Sequence, residues 1–209
     1  VDSSVDGAGT PGGGGPAADK GALRAQLLRR RRALSARERS AAERALAARA
    51  LTLPEIATAG TVAAYVSVGG EPGTRQLLET LRERGTRVLL PVLLGDNDLD
   101  WAVYEGPGSL LPAGRGLLEP AQPPLGPDAV LAADVVLLPG LAVDAGGMRL
   151  GRGGGSYDRV LERLERAGAE PLLVVLLYAH EVVERLPAEA HDRPVHAVVT
   201  PEGAGRFTV

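Results

Sequence analysis

Arg149-Leu150-Gly151-Arg152-Gly153-Gly154-Gly155-Ser156-Tyr157-Asp158-Arg159 gathers four glycines and three arginines in eleven residues, just before a helical pattern of Val160, Leu161 and Leu164. Glycine reaches positive φ without steric cost and lets backbone come close to a ligand. A glycine turn running into a helix start aims free N–H groups, and the positive end of the helix dipole, at one point. Guanidinium groups beside those N–H groups complete a site suited to phosphate. A solvated Gly/Arg loop has the same composition, because the chain holds 28 glycines and arginine is abundant throughout. The loop follows a buried-type strand and abuts a helix, which favours the phosphate reading.

Other residues could join such a site. Of the 23 basic residues, Lys20 is the one lysine. Its ammonium is a compact, rotatable point charge that a planar guanidinium does not imitate. Asp158 is either a first-turn residue stabilised by the helix dipole or an oxygen partner of Mg²⁺. Asp192, in His191-Asp192-Arg193-Pro194, is either turn chemistry or a second such partner. Several chemistries are excluded. A Walker-type loop needs a lysine that this loop lacks, and a dinucleotide fingerprint needs a glycine at Ser156. His180, His191 and His196 lack zinc spacing, there is no Gly-x-Ser-x-Gly elbow, and cysteine is absent. No protein nucleophile is assigned.

The elements around these residues alternate. Residues 1–19 are rich in Gly and Pro and read as a disordered leader, followed by one domain over residues 20–209. Leu23, Leu27, Leu28 and Leu34 fall at helical spacing, with the run Arg29 to Arg32 expected on the wet face. Ser35-Ala36-Arg37-Glu38 has the form of a capping box and opens a second helix that runs to about Leu51. Strands are expected at 62–66, at 88–90 with an end at Pro91, at 99–103, 135–138, 172–177 and 197–199. Helices are expected from Thr74 to Arg84, from Ser156 to Ala167, and from His180 to Leu186, with residues 106–128 an irregular connection. Trp101 is expected to pack on a sheet face. Uniformly apolar strands alternating with amphipathic helices give an α/β fold, three-layer α/β/α, with a mainly parallel central sheet. Ligands of such sheets gather beyond the carboxyl ends of the strands. Glu71, the loop 149–157, Tyr178, His180 and Glu181 should therefore project toward one edge.

Bulk properties narrow the partners. At 209 residues and 44% hydrophobic, the chain can bury one sizeable core. A net charge of -3 does not favour nucleic acid, and no apolar run approaches a membrane span. The absence of cysteine and of a secretion-type start fits a cytoplasmic, monomeric protein.

Taken in order, several segments resemble one family. They are Lys20-x-x-Leu23-Arg24, Glu71 with Thr74, Val88 to Pro91, Glu119-Pro120, Leu138-Pro139-Gly140-Leu141-Ala142-Val143-Asp144, the loop Arg149 to Asp158, and His191-Asp192-x-Pro194. Together they resemble the 5-formyltetrahydrofolate cyclo-ligases, also called 5,10-methenyltetrahydrofolate synthetases. The resemblance implies a small-molecule ligase of one-carbon metabolism that uses ATP and Mg²⁺. ATP phosphorylates the formyl oxygen of 5-formyltetrahydrofolate; the folate N10 attacks the activated carbon, and phosphate leaves to give 5,10-methenyltetrahydrofolate. It further implies ATP contacts at Lys20, Gly21, Ala22, Leu23 and Arg24 and at Arg149, Leu150, Gly151, Arg152, Gly153, Gly154, Gly155, Ser156 and Tyr157. Val66 and Glu71 would touch the formylfolate, Glu71 as acceptor for the pterin, and Asp158 and Asp192 would be magnesium partners. The chain departs from the pattern at Ser156, usually Tyr, at Gly154, in some members Lys, and at His196, commonly Asp. Two rivals remain open: a non-catalytic folate or nucleotide binder, and a sugar-phosphate isomerase or coenzyme A transferase-like enzyme on a related sheet.

Overall fold

The computed structural model describes residues 16–190 and 192–208. Of the expected leader, residues 1–15 lie outside the described residues. Residues 16–19 instead open helix α1 (Pro16–Ala33), so the helix begins before the expected boundary. Proline is tolerated at a first helical position, where its missing N–H needs no partner. Ser35 ends α1 and caps α2 (Ala36–Ala50): its hydroxyl accepts from Glu38 N at 3.1 Å, and Glu38 Oε2 accepts from Ser35 N at 2.7 Å. A short α3 (Pro54–Ala57) leads to β1 (Thr61–Ala63). Then follow α4 (Arg75–Glu83), β2 (Arg87–Leu93), β3 (Leu99–Val103) and a small hairpin of β4 (Leu110–Pro112) and β5 (Leu118–Pro120). The chain continues through β6 (Val135–Leu138), β7 (Ala142–Val143), β8 (Arg149–Leu150), α5 (Ser156–Ala167), β9 (Leu172–Leu176), β10 (Ala197–Thr200) and β11 (Gly203–Arg206).

Seven strands form one sheet in the order β11-β10-β9-β6-β1-β2-β3. The five inner strands, β10 to β2, run parallel, and β3 and β11 are antiparallel edges. Alternate residues point to opposite faces, so Val62, Val88, Val135 and Val174 pack with α2 and α4 through Leu46, Leu77 and Leu81. Ala63, Leu89, Val136 and Val175 pack the other way, onto Val160, Leu161 and Leu164 of α5. Trp101 is fully buried in that second layer. The three-layer α/β expectation matches this arrangement. Helix α1 stands apart from both layers: Leu27 packs with Leu141, Ala142, Leu150 and Leu186, beyond the carboxyl ends of the strands.

Four local expectations differ. Pro91 does not end a strand but sits inside β2, opposite Trp101 of β3. The ladder to β1 stops at Leu89, so the missing N–H of Pro91 breaks no bond on that side. The first strand is shorter than 62–66: it spans Thr61–Ala63, and beyond it Tyr65 O accepts from the Thr74 hydroxyl at 2.8 Å instead of from a neighbouring strand. The irregular connection 106–128 contains the β4–β5 hairpin. The helix expected over His180–Leu186 is a single 3₁₀ turn, Ala179–Glu181; Val183 N then donates to Val143 O at 2.9 Å, an extended pairing that forbids a helix.

Candidate active site

A cavity of about 510 Å³ opens beyond the carboxyl ends of the central strands. That is room for a small ligand with a cosubstrate. It collects Lys20, Arg24, Val66, Glu71, Asp192 and the whole loop Arg149–Asp158. Three sequence-distant regions meet there, each delivered by the end of a helix or strand.

Helix α1 supplies the first wall. Lys20 and Arg24 are four residues apart and share a face. Lys20 Nζ donates to Asp192 Oδ2 at 2.8 Å and to Glu189 Oε2 at 3.1 Å. Arg24 Nε donates to Gly151 O at 2.8 Å, which ties the helix to the glycine loop. Of their neighbours, Gly21 and Ala22 are exposed, and Leu23 packs beside Leu27 and Leu141. Those three do not line the cavity.

The glycine loop supplies the second wall. Gly153 (φ +94) and Gly155 (φ +78) adopt left-handed backbone that a larger residue would resist. Gly155 is the N-cap of α5 and offers no side-chain cap, so the first N–H groups of the helix are free to meet an anion. Arg149 Nη1 donates to Pro139 O at 3.0 Å and Nη2 to Asp158 Oδ1 at 3.2 Å. Its buried Nε has no partner among the described residues. Burial lowers the Arg149 pKa, against the pull of Asp158. A guanidinium in this state gains from an arriving anion.

The loop after β1 supplies the third wall. Glu71 is 9% exposed; Oε2 accepts from Val68 N at 2.8 Å, and Oε1 lies 3.5 Å from Arg152 Nε. Burial pushes its pKa up, while the Val68 N–H, Arg152 and Arg31 draw it down. Tyr65 and Tyr157 are both pushed up, first by burial and then by the Glu71 charge, so their hydroxyls stay neutral donors. A carboxylate flanked by N–H groups and neutral hydroxyls suits a polar heterocycle bearing N–H donors.

Asp158 and Asp192 both line the cavity, yet each already faces a cation, Arg149 and Lys20 respectively. No cluster of three or more His, Asp or Glu side chains suited to a metal occurs among the described residues. His196 serves the sheet: its Nδ1 accepts from Leu173 N at 2.9 Å, which accounts for a histidine there without a ligand role. Ser156 starts α5 at the cavity wall.

Sequence reasoning missed several residues. Tyr65 was hidden in an apolar run, Arg115 and Leu118 lay in the stretch read as an irregular connection, and Glu189 in a stretch given no element, although all line the cavity. Arg31, expected on the wet face, is buried and bonded to Glu181 at 2.7 Å and 2.9 Å. Its spacing four residues after the buried Leu27 was the available signal.

Residues 16–201 match the 5-formyltetrahydrofolate cyclo-ligase family. A 5-formyltetrahydrofolate cyclo-ligase of Mycolicibacterium smegmatis is 46% identical over 147 residues, covering 68% of this chain and 74% of the relative. The Escherichia coli K12 protein of the same name is 40% identical over 157 residues, covering 72% and 82%. The solution structure of Aquifex aeolicus 5,10-methenyltetrahydrofolate synthetase superposes with a TM-score of 0.77 at 30% identity, covering 91% of this chain and 93% of that one.

Proposed function

The chain belongs to the 5-formyltetrahydrofolate cyclo-ligase family, and from that premise we propose how its cavity carries out the family's ATP-dependent ring closure. The observation that carries the reading is one cavity in which the Lys20–Arg24 face and the loop Arg149–Asp158 meet Val66 and Glu71. The cationic walls receive the triphosphate; the Glu71 wall receives the pterin.

Phosphoryl transfer asks for positioning and charge neutralisation more than for covalent chemistry. The N–H groups of residues 153–156, with Lys20, Arg24, Arg149 and Arg152, hold the γ-phosphate beside the formyl group. Glu71 accepts hydrogen bonds from the pterin, and the neutral hydroxyls of Tyr65 and Tyr157 donate toward the same ring system. The formyl oxygen attacks phosphorus and ADP departs. N10 then bonds to the formyl carbon, the C–O bond breaks with release of phosphate, and N10 gives up its proton. Activation of the oxygen as phosphate makes a protein nucleophile unnecessary, consistent with a cavity whose lining has no cysteine.

Magnesium fits as a companion of the nucleotide. Mg²⁺ keeps several waters and takes one or two carboxylates plus substrate phosphates. Asp158, whose side chain is 61% exposed, and Asp192 would hold it; bound there, it would neutralise phosphate charge. No described helix is long and apolar enough to cross a membrane, and the net charge of -3 gives no nucleic-acid attraction. We place the enzyme in the cytoplasm on its cysteine-free composition. Mixing protein, ATP, Mg²⁺ and 5-formyltetrahydrofolate should raise the absorbance of the methenyl product. Folded protein with no change in absorbance, or a change that needs no ATP, would overturn this function.

A further inference from the structure

Arg115 (φ 60) and Asn97 (φ 68) are the two non-glycine residues with positive φ among the described residues. They meet: Arg115 Nη1 donates to Asn97 Oδ1 at 3.4 Å. Asparagine visits the left-handed region readily, whereas arginine is strained there. The strain is avoidable, since Arg115 stands between Gly114 and Gly116 and a third glycine would fit the same backbone. Strain held at a cavity wall points to a use for the side chain. Arg115 lines the cavity, and its guanidinium has no carboxylate partner among the described residues. The other cavity cations are engaged: Lys20 and Arg152 by carboxylates, Arg24 by a carbonyl, Arg149 by both.

The sheet order arranges these groups in sequence. The glycine loop follows β8, whose chain comes from β6, and Glu71 follows β1; Pro91 and Leu93 lie on β2 and Leu99 on β3. The β4–β5 hairpin packs on β2 through Leu93 N and Glu119 Oε1 at 3.0 Å, with Arg115 meeting Asn97 in the turn between β2 and β3. Along the cavity this reads as phosphate cradle, polar acceptor, apolar strip, and a cation with no carboxylate partner among the described residues. 5-Formyltetrahydrofolate has a matching order of pterin, aryl ring and glutamyl carboxylates. We propose that Arg115 grips the glutamyl carboxylates of the substrate while Pro91, Leu93, Leu99 and Leu118 carry the aryl ring. This rests on the ring-closing function proposed above.

Arg115→Gly tests the assignment, because it deletes the guanidinium and relaxes the backbone that held it. KM is measured for 5-formyltetrahydrofolate and for 5-formyltetrahydropteroate, which lacks the glutamyl group. The unaltered protein should prefer the full substrate by about tenfold, the scale of one charge-assisted hydrogen bond. In Arg115→Gly the preference should fall to about twofold or less, with Arg115→Lys between the two. An undiminished preference in Arg115→Gly, or a rise confined to the KM for ATP, overturns the proposal. Failure of the unaltered protein to turn over either substrate would remove the function itself, and this assignment with it.

Discussion

The two ends of α1 carry the same kind of residue and do opposite things. At the carboxyl end, Arg31 bonds both oxygens of Glu181 and the carbonyl of Gly140 at 2.6 Å, with side chains 2% and 0% exposed. Glu181 Oε2 also accepts from Tyr178 N at 3.0 Å, and Tyr178 Oη reaches Gly70 O at 3.2 Å. That end fastens the helix to the turn after β9 and to the loop of Glu71. At the amino end, Lys20 rests on Asp192 and Glu189 at the cavity wall, where side chains can change partners. A dry, fully bonded pair fixes geometry; a pair beside a cavity holds a cation ready. One helix thus anchors and grips, and the two functions should separate under mutation.

The largest effect tests the anchor. Arg31→Ala leaves the Glu181 carboxylate buried without its cation, so the stability read from urea unfolding should drop by about 3–5 kcal/mol. Lys20→Ala takes the ammonium away from Asp192 and Glu189, but both carboxylates border the open cavity at 19% and 35% exposure, so the loss should be about 1–2 kcal/mol, well below that of Arg31→Ala. Equal losses would abolish the distinction between the two ends. Lys20→Ala should instead raise the KM for ATP about ten- to a hundredfold, with the KM for formylfolate nearly unmoved, as fits loss of a charged contact to phosphate. Steady-state kinetics with each substrate varied separately decides this.

The same contrast explains what was legible in the sequence. The inner strands were readable because a strand buried on both faces is apolar at every position, as in Val135–Leu138. Helix α5 was readable from Val160, Leu161 and Leu164 and from Gly168, which ends it at φ +64. The glycine loop declared itself by composition. The anchor declared itself only in part: Arg31 falls four residues after Leu27, on the buried side of α1, but its partner Glu181 comes from far along the chain. Glu181 was likewise read as part of a helix, because the pairing of Val183 with Val143 is not local. Pro91 misled because its tolerance depends on where a neighbouring strand stops. Long-range partners set each of these features, and a single sequence does not carry their register.

Glu71 sharpens the comparison from the cavity side. It is buried, as Glu181 is, and that burial raises its pKa against the pull of the Val68 N–H, Arg152 and Arg31. As pH falls through this raised value the carboxylate takes a proton and loses acceptor capacity. The KM for formylfolate should therefore climb at a pH above the ordinary glutamate value of about 4.3. Glu71→Gln should raise that KM roughly tenfold at neutral pH and remove the acid limb of the profile. A limb that survives in Glu71→Gln would assign the titration to another group.

The smallest effect separates charge from shape at the gripping end. Lys20→Arg keeps a cation, and a guanidinium fork can still reach Asp192 and Glu189, so the pairing and the unfolding midpoint should persist. The planar group is bulkier and less free to rotate its donors toward a phosphate already surrounded by Arg24, Arg149 and Arg152. A rise of about three- to fivefold in the KM for ATP is expected, less than the loss from deleting the charge outright. Were Lys20→Arg as damaging as Lys20→Ala, shape alone would govern the contact. Were it silent in ATP kinetics, any cation would serve there, and the lone lysine would be an accident of composition; either result would redraw the gripping end of α1 while leaving its anchor untouched.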